Sequence, residues 1–304
     1  QAGHVAGHDH AARLDHRIPW GEGLPADRYE EILRADTSHS IKAVLATHNE
    51  TATGVKSDIA AVRRALDAAG HPAMLFVDGV SSIGSMDFRM DDWGVDVAVT
   101  GSQKGFMLPA GLAIVGVSEK AFAATKTASL PRTFFDLADM QAGYDNNAFP
   151  YTPPVGLMNG LKLSLEMLET EPLDSVFARH TRIATGVRKA VAAWGLELCA
   201  ASPEVYSDSV SAIRTPEGFN ATEIVNIAAK DYGMAFGVGL GEVAGKVFRI
   251  GHLGMLTDAM MLSGLGIAEM VMVDLGLGIT LGSGVAAAQE FYRHGGQSAR
   301  QAAA

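Results

Sequence analysis

Apolar positions along the chain alternate between two periods. "ADRYEEILRAD" places Tyr29, Ile32 and Leu33 on one helical face, and "IKAVLAT" follows as the kind of short apolar run that a buried strand carries. "SDIAAVRRALDAAG" returns to helical spacing at Ile59, Val62 and Leu66, with Ser57 in the N-cap position and Gly70 as the stop. "PAMLFVD", the segment around Val95–Val99 and "GLAIVGVS" read as further strands. Strands separated by helical segments predict an α/β fold with a mainly parallel sheet and right-handed crossovers.

The texture changes after about residue 145. "NAFPYTPPVG" is a Pro-rich aromatic loop, and helical spacing then runs from about Val155 to Glu171 and from about Leu173 to Trp194. "VYSDSVSAI" reads as an alternating strand, "ATEIVNIAAKDYG" as a helix, "KVFRIGHL" as a strand, and a last helical stretch starts near Asp258. The expected division is a leader at 1–18, a large domain at 19–154, and a long helix with a small α+β domain at 155–304. The leader, "QAGHVAGHDHAARLDH", holds His4, His8, His10 and His16. Spacings of two and four suit a metal, but a disordered, tag-like segment is the expectation.

Composition narrows the classes. Hydrophobic residues make up 48% and charged residues 19% of the 304, which is a globular balance with enough chain for a substantial core. The formal net charge of −10 argues against nucleic acid and anionic membranes as partners. Cys199 is the single cysteine, so no internal disulfide forms and a reducing, cytoplasmic setting is expected.

Candidate chemistry sits at strand ends. Asp78 closes "AMLFVD", where open α/β sheets put their ligands. Lys104 follows the next strand in "TGSQKGFMLPAG". Gly101 and Gly105 beside it leave room for a bulky ligand, and Ser102 and Gln103 can donate to an anion. An amine and a carboxylate at neighbouring strand ends match what pyridoxal phosphate requires, a Schiff-base partner and an acid for its ring nitrogen. Arg249, in the apolar strand "KVFRIGHLG", meets either a structural carboxylate or a substrate carboxylate. "GVGLGEVAG" has the glycines of a dinucleotide loop but leads into a strand, which speaks against a nicotinamide enzyme.

Five motifs in order, "HNETATGV", "LFVDGVSSIGS", "TGSQKGFMLPAGLAIV", "FPYTPPVGL" and "GKVFRIGHLG", resemble the class V aminotransferases, in the branch of the glyoxylate aminotransferases. The resemblance runs from about Pro19 to about Arg293. It implies fold type I, with a mixed seven-stranded sheet in the large domain, and a pyridoxal-phosphate enzyme that moves an amino group from aspartate, serine or alanine to glyoxylate. It implies that Lys104 forms the Schiff base and shuttles the proton, Asp78 pairs with the ring nitrogen, Val80 packs on the ring, Thr51 hydrogen-bonds the cofactor and Gln103 contacts its phosphate. Thr152 reaches the phosphate of the neighbouring subunit in a homodimer with shared sites, and Arg249 clamps the substrate α-carboxylate. Arg132 and His252 are candidates for an aspartate side chain, and Phe106 or Met107 for limiting pocket size.

The family also carries a segment upstream of Pro19 with a "TGTG"-like loop for the phosphate. The leader does not resemble it, so the resemblance implies an N-terminally incomplete form. The alternatives are a lyase or cysteine desulfurase of the same fold, and a non-catalytic truncated form. A desulfurase needs a reactive thiol on a loop, whereas Cys199 lies in the apolar "LELCA" and reads as core.

Overall fold

A βαβ unit frames the first sheet. The structure, a computed structural model, describes residues 4–7 and 18–302, with side chains for 18–294. Strand β1 (His4–Gly7) precedes helix α1 (Ala26–Ala35) and β2 (Ile41–Thr47). The hairpin β3 (Asn49–Glu50) and β4 (Val55–Lys56) follows, then α2 (Ile59–Ala68), β5 (Met74–Asp78), β6 (Val97–Gly101) and β7 (Ala113–Val117). The spatial order is β1-β2-β5-β6-β7. β2, β5 and β6 are parallel, while β1 and β7 pair antiparallel at the two edges. Five strands are therefore paired among the described residues, where the resemblance implied seven. β7 is antiparallel because the chain from 102 to 112 turns straight back without a crossover helix.

Two expectations change here. Asp58, not Ser57, caps α2, accepting the Ala61 N–H at 2.8 Å. Ser57 is still tied to the hairpin by its N–H to His48 C=O, and its hydroxyl accepts from Leu24 N–H. In the leader, residues 4–7 form a strand against β2 rather than a disordered run, and His8, His10 and His16 lie outside the described residues. The core under this sheet holds Val44, Leu75, Val77, Ile59, Val62 and Leu66. Asp78 comes at the end of that apolar strand and is exposed.

Helices α3 (Glu119–Ala124), α4 (Leu137–Asp145), α5 (Val155–Thr170) and α6 (Leu173–Ala193) lead to a second sheet. Its strands are β8 (Glu197–Leu198), β9 (Val210–Arg214), β10 (Gly237–Val238) and β11 (Val247–Gly251), all antiparallel in the order β10-β11-β9-β8. Helix α7 (Ala221–Tyr232) lies between β9 and β10, and α8 (Asp258–Asp274) and α9 (Ser283–Ala302) close the chain. Phe248, Ile213, Ile224, Leu265 and Val187 form its core. β9 is buried at Val210, Ser211, Ala212 and Ile213 alike, so the expected alternation is absent. The β3–β4 hairpin covers its other face: a Cβ at Gly54 would lie 3.0 Å from Val210 C=O. Buried Glu269 is matched by Trp194 Nε1–H at 2.8 Å and by the N–H groups of Gly282 and Gly284 at the start of α9. No described helix is long and apolar enough to cross a membrane.

Candidate active site

Parallel pairing of β5 with β6 sets Asp78 and the turn that holds Lys104 at the C-terminal ends of neighbouring strands. Asp78 is in register with Val99, and Gly79 N–H donates to Val99 C=O at 2.9 Å. Among the described residues the Asp78 carboxylate accepts one hydrogen bond, from Val80 N–H at 2.9 Å. Lys104 sits half-buried in the turn after β6, with Met107 N–H donating to its C=O at 2.9 Å. That turn is tightly held. Met107 takes φ 61°, a left-handed value that is uncommon for a side-chain-bearing residue. Ser164 of α5 donates to Phe106 C=O, and Gly254, beyond β11, packs on Met107.

Thr51 joins this floor to the second sheet. Its hydroxyl donates to Ser81 Oγ at 2.9 Å, and its C=O accepts from Arg249 Nη1 at 2.9 Å. Arg249 Nε donates to Val238 C=O at 2.8 Å. Both contacts are to backbone oxygens, and among the described residues no carboxylate pairs with this guanidinium. Burial lowers its pKa, opposed by the nearby charge of Glu50. Burial in turn raises Glu50, whose Oε1 accepts from Ala52 N–H while its buried Oε2 has no partner among the described residues. Asn49, Glu50 and Ser81 escaped the sequence reading, although all three lie inside motifs it quoted.

Other expectations need correction. A Cβ at Gly105 would strike Ile83 C=O and the Gly84 backbone, so this glycine admits the neighbouring turn and not a ligand. A Cβ at Gly101 would lie 2.6 Å from Gln103 Oε1, so the amide of the exposed Gln103 fills this space. The Ser102 hydroxyl donates to Pro109 C=O at 2.7 Å and is committed to its own loop. His252 is buried between Ser211 Oγ and Asp208 C=O, each at 3.0 Å, and burial lowers its pKa to about 4. Arg132 pairs with Asp136 at 3.0 Å. Neither is poised for a substrate side chain. Thr152 is exposed in the loop before α5, with no hydrogen bond to the Lys104 turn among the described residues.

The model of the aminotransferase class-V family matches residues 4–243. The chain belongs to the class V aminotransferases. It is 73% identical over 286 residues to an L-aspartate–glyoxylate aminotransferase of Paracoccus denitrificans, covering 94% of this chain and 72% of that one. It is 56% identical to a serine–glyoxylate aminotransferase of Hyphomicrobium methylovorum, over 90% of this chain and 68% of that one. A pyridoxamine–pyruvate aminotransferase from Mesorhizobium loti superposes with a TM-score of 0.86 at 32% identity, over 92% of this chain and 72% of that one. The fold is that of the fold-type I aminotransferases.

For a class V aminotransferase the donor set is chemically apt. An amine and a carboxylate with spare acceptor capacity follow neighbouring strands of the first sheet, and the second sheet supplies an arginine without a carboxylate partner among the described residues; these are the groups an aldehyde cofactor and an amino-acid carboxylate call for. Cys199 is buried, and burial raises its pKa, the opposite of what a sulfur-transferring thiol needs.

Proposed function

We propose that this chain moves the amino group of a small L-amino acid, aspartate before serine or alanine, to glyoxylate, giving glycine and a keto acid. The observation that carries this reading is the half-buried Arg249 guanidinium, which has no carboxylate partner among the described residues and is bonded to the Thr51 carbonyl, with Thr51 in turn bonded to Ser81 just beyond Asp78. The preference for aspartate follows the 73% identity to an L-aspartate–glyoxylate aminotransferase. Pyridoxal phosphate, when bound, supplies the aldehyde and the electron sink for the exchange.

The chain's own residues do the rest. The Lys104 amine holds the cofactor covalently and moves a proton at the donor's α-carbon. The Asp78 carboxylate accepts a hydrogen bond from the ring nitrogen and keeps it protonated. Val80 packs on the ring, Thr51 hydrogen-bonds it, and Gln103 swings from Gly101 to donate to the phosphate. Arg249 binds the α-carboxylate in bidentate fashion, which the ion pairs available to Arg132 do not rival. Thr152 completes the phosphate site of the partner in a homodimer, a role supported by its exposed position. Half-reactions with aspartate, serine and alanine, each followed by glyoxylate with glycine as the measured product, test the proposal. Faster amino transfer from aspartate is expected. Equal rates with all three donors would remove the aspartate preference, and no glycine from any would remove the function.

A further inference from the structure

The hydroxyl hydrogens beneath Thr51 have one arrangement. Ser209 Oγ lies 2.6 Å from Ser81 C=O, and Ser81 Oγ lies 2.9 Å from Asn49 C=O. A carbonyl oxygen only accepts, so each serine commits its single hydrogen there. Thr51 Oγ1 is 2.9 Å from Ser81 Oγ, which has no hydrogen left to give, so Thr51 is the donor. The Asn49 amide nitrogen completes the cluster, directing its two hydrogens at Ser81 Oγ, 2.9 Å away, and Ser209 Oγ, 3.0 Å away, with Ser81 C=O at 3.3 Å sharing one of them. Turning this amide over would set its oxygen against three oxygens that have no hydrogen to offer it. Ser207, 3.2 Å from Ser209 Oγ, must donate for the same reason. Ser81 is 4% exposed, Asn49 3% and Ser209 0%, so water does not compete for these bonds.

We propose that Ser81 is a positioning residue for the transamination: by taking the hydroxyl hydrogen of Thr51, it makes Thr51 a hydrogen-bond acceptor toward the cofactor, and through Ser209 it ties that setting to the sheet that carries Arg249. The inference rests on the pyridoxal-phosphate reading above. An acceptor favours the protonated form of the group it faces, whereas a threonine released to rotate would donate and favour the deprotonated form. Ser81 therefore holds up the pH at which the bound cofactor's visible absorbance titrates.

The test is that titration, on the full chain loaded with pyridoxal phosphate, with circular dichroism confirming that each variant is folded. Ser81→Ala should lower the midpoint by about half a unit to one unit, the scale of one hydrogen bond. Ser209→Ala should move it the same way by less, and Thr51→Ser should keep it. In a Thr51→Val background, Ser81→Ala should add nothing, because its effect passes through Thr51. A Ser81→Ala midpoint that stays or rises, or a full shift that persists without the threonine hydroxyl, overturns the proposal. An inert Ser209→Ala overturns the link to the second sheet. If Ser81→Ala does not fold, Ser209→Ala with and without Thr51→Val decides by the same criteria. A wild-type chain that takes up no pyridoxal phosphate fails at an earlier step: it overturns the cofactor reading and this proposal with it, whereas failure of the proposal alone leaves wild-type uptake intact.

Discussion

Around Ser81 the hydroxyls of Thr51, Ser207 and Ser209 all find partners inside the chain, while between Leu130 and Val155 large apolar side chains stand in solvent. Leu130 is 78% exposed, Phe135 77% and Tyr144 78%. The first region satisfies its hydroxyls within one chain, joins two sheets with short, directional bonds and ties Thr51 to Ser81 and Arg249. The second leaves its large apolar side chains exposed, the kind of surface that, where contiguous, marks an interaction face. Thr152 belongs to that second region. Under the proposed function the contrast divides the work: the reactive groups are positioned from within, and a partner subunit is expected to complete the far side of the site.

The largest effect expected is on the internally built side. Lys104→Ala should cut amino transfer by about a thousandfold or more, because it removes both the covalent anchor and the proton carrier. Retention of full turnover would break the account. Arg249→Ala should lower kcat/KM for amino donors by about a hundredfold, and Arg249→Lys should recover only part of it, since a point charge cannot reproduce the bidentate grip. Steady-state kinetics with the three donors reads both variants. An unchanged kcat/KM in Arg249→Ala would assign that arginine to structure.

The partner-facing side makes a different prediction. Sedimentation should show a dimer, and Phe135→Glu or Tyr144→Glu should weaken it, since each sets a carboxylate into the covered face. A monomeric wild-type chain would contradict the division of work. The smallest effect is on stability. Buried His48 and His252 each have a pKa lowered from 6.5 to about 4, with burial as the leading cause. The unfolded chain therefore binds more protons than the folded one between these values. Stability is full above about pH 6.5 and falls as pH drops toward 4, by about 3 kcal/mol per histidine. Thermal melting across that range measures it, and a flat Tm would show that these rings charge freely in the fold.

Much of the frame was legible because strand and helix periods differ and because reactive groups sit where apolar strands end. Asp78 after "AMLFV" and Lys104 after "VAVTGSQ" are examples, and both follow the C-terminal ends of neighbouring parallel strands. Arg249 was legible as an expensive cation in an apolar strand, but its lack of a carboxylate partner was not. The direction of β7 and the packing of Gly105 on Gly84 depend on how a loop returns, which local pattern does not encode. His252 beside Arg249 looked available, yet β9 supplies Ser211 to hold it. Ser81 was hidden for the same reason, since its partner Ser209 lies 128 residues away in the chain.

The central claim is that Lys104 is the amine that holds the cofactor. The most direct measurement is borohydride reduction of the chain loaded with pyridoxal phosphate, followed by peptide mass mapping. The account predicts that the reduced cofactor is fixed on the peptide containing Lys104, and that Lys104→Ala abolishes the label. A label on Lys120 or Lys126, or no label on the wild-type chain, would contradict it.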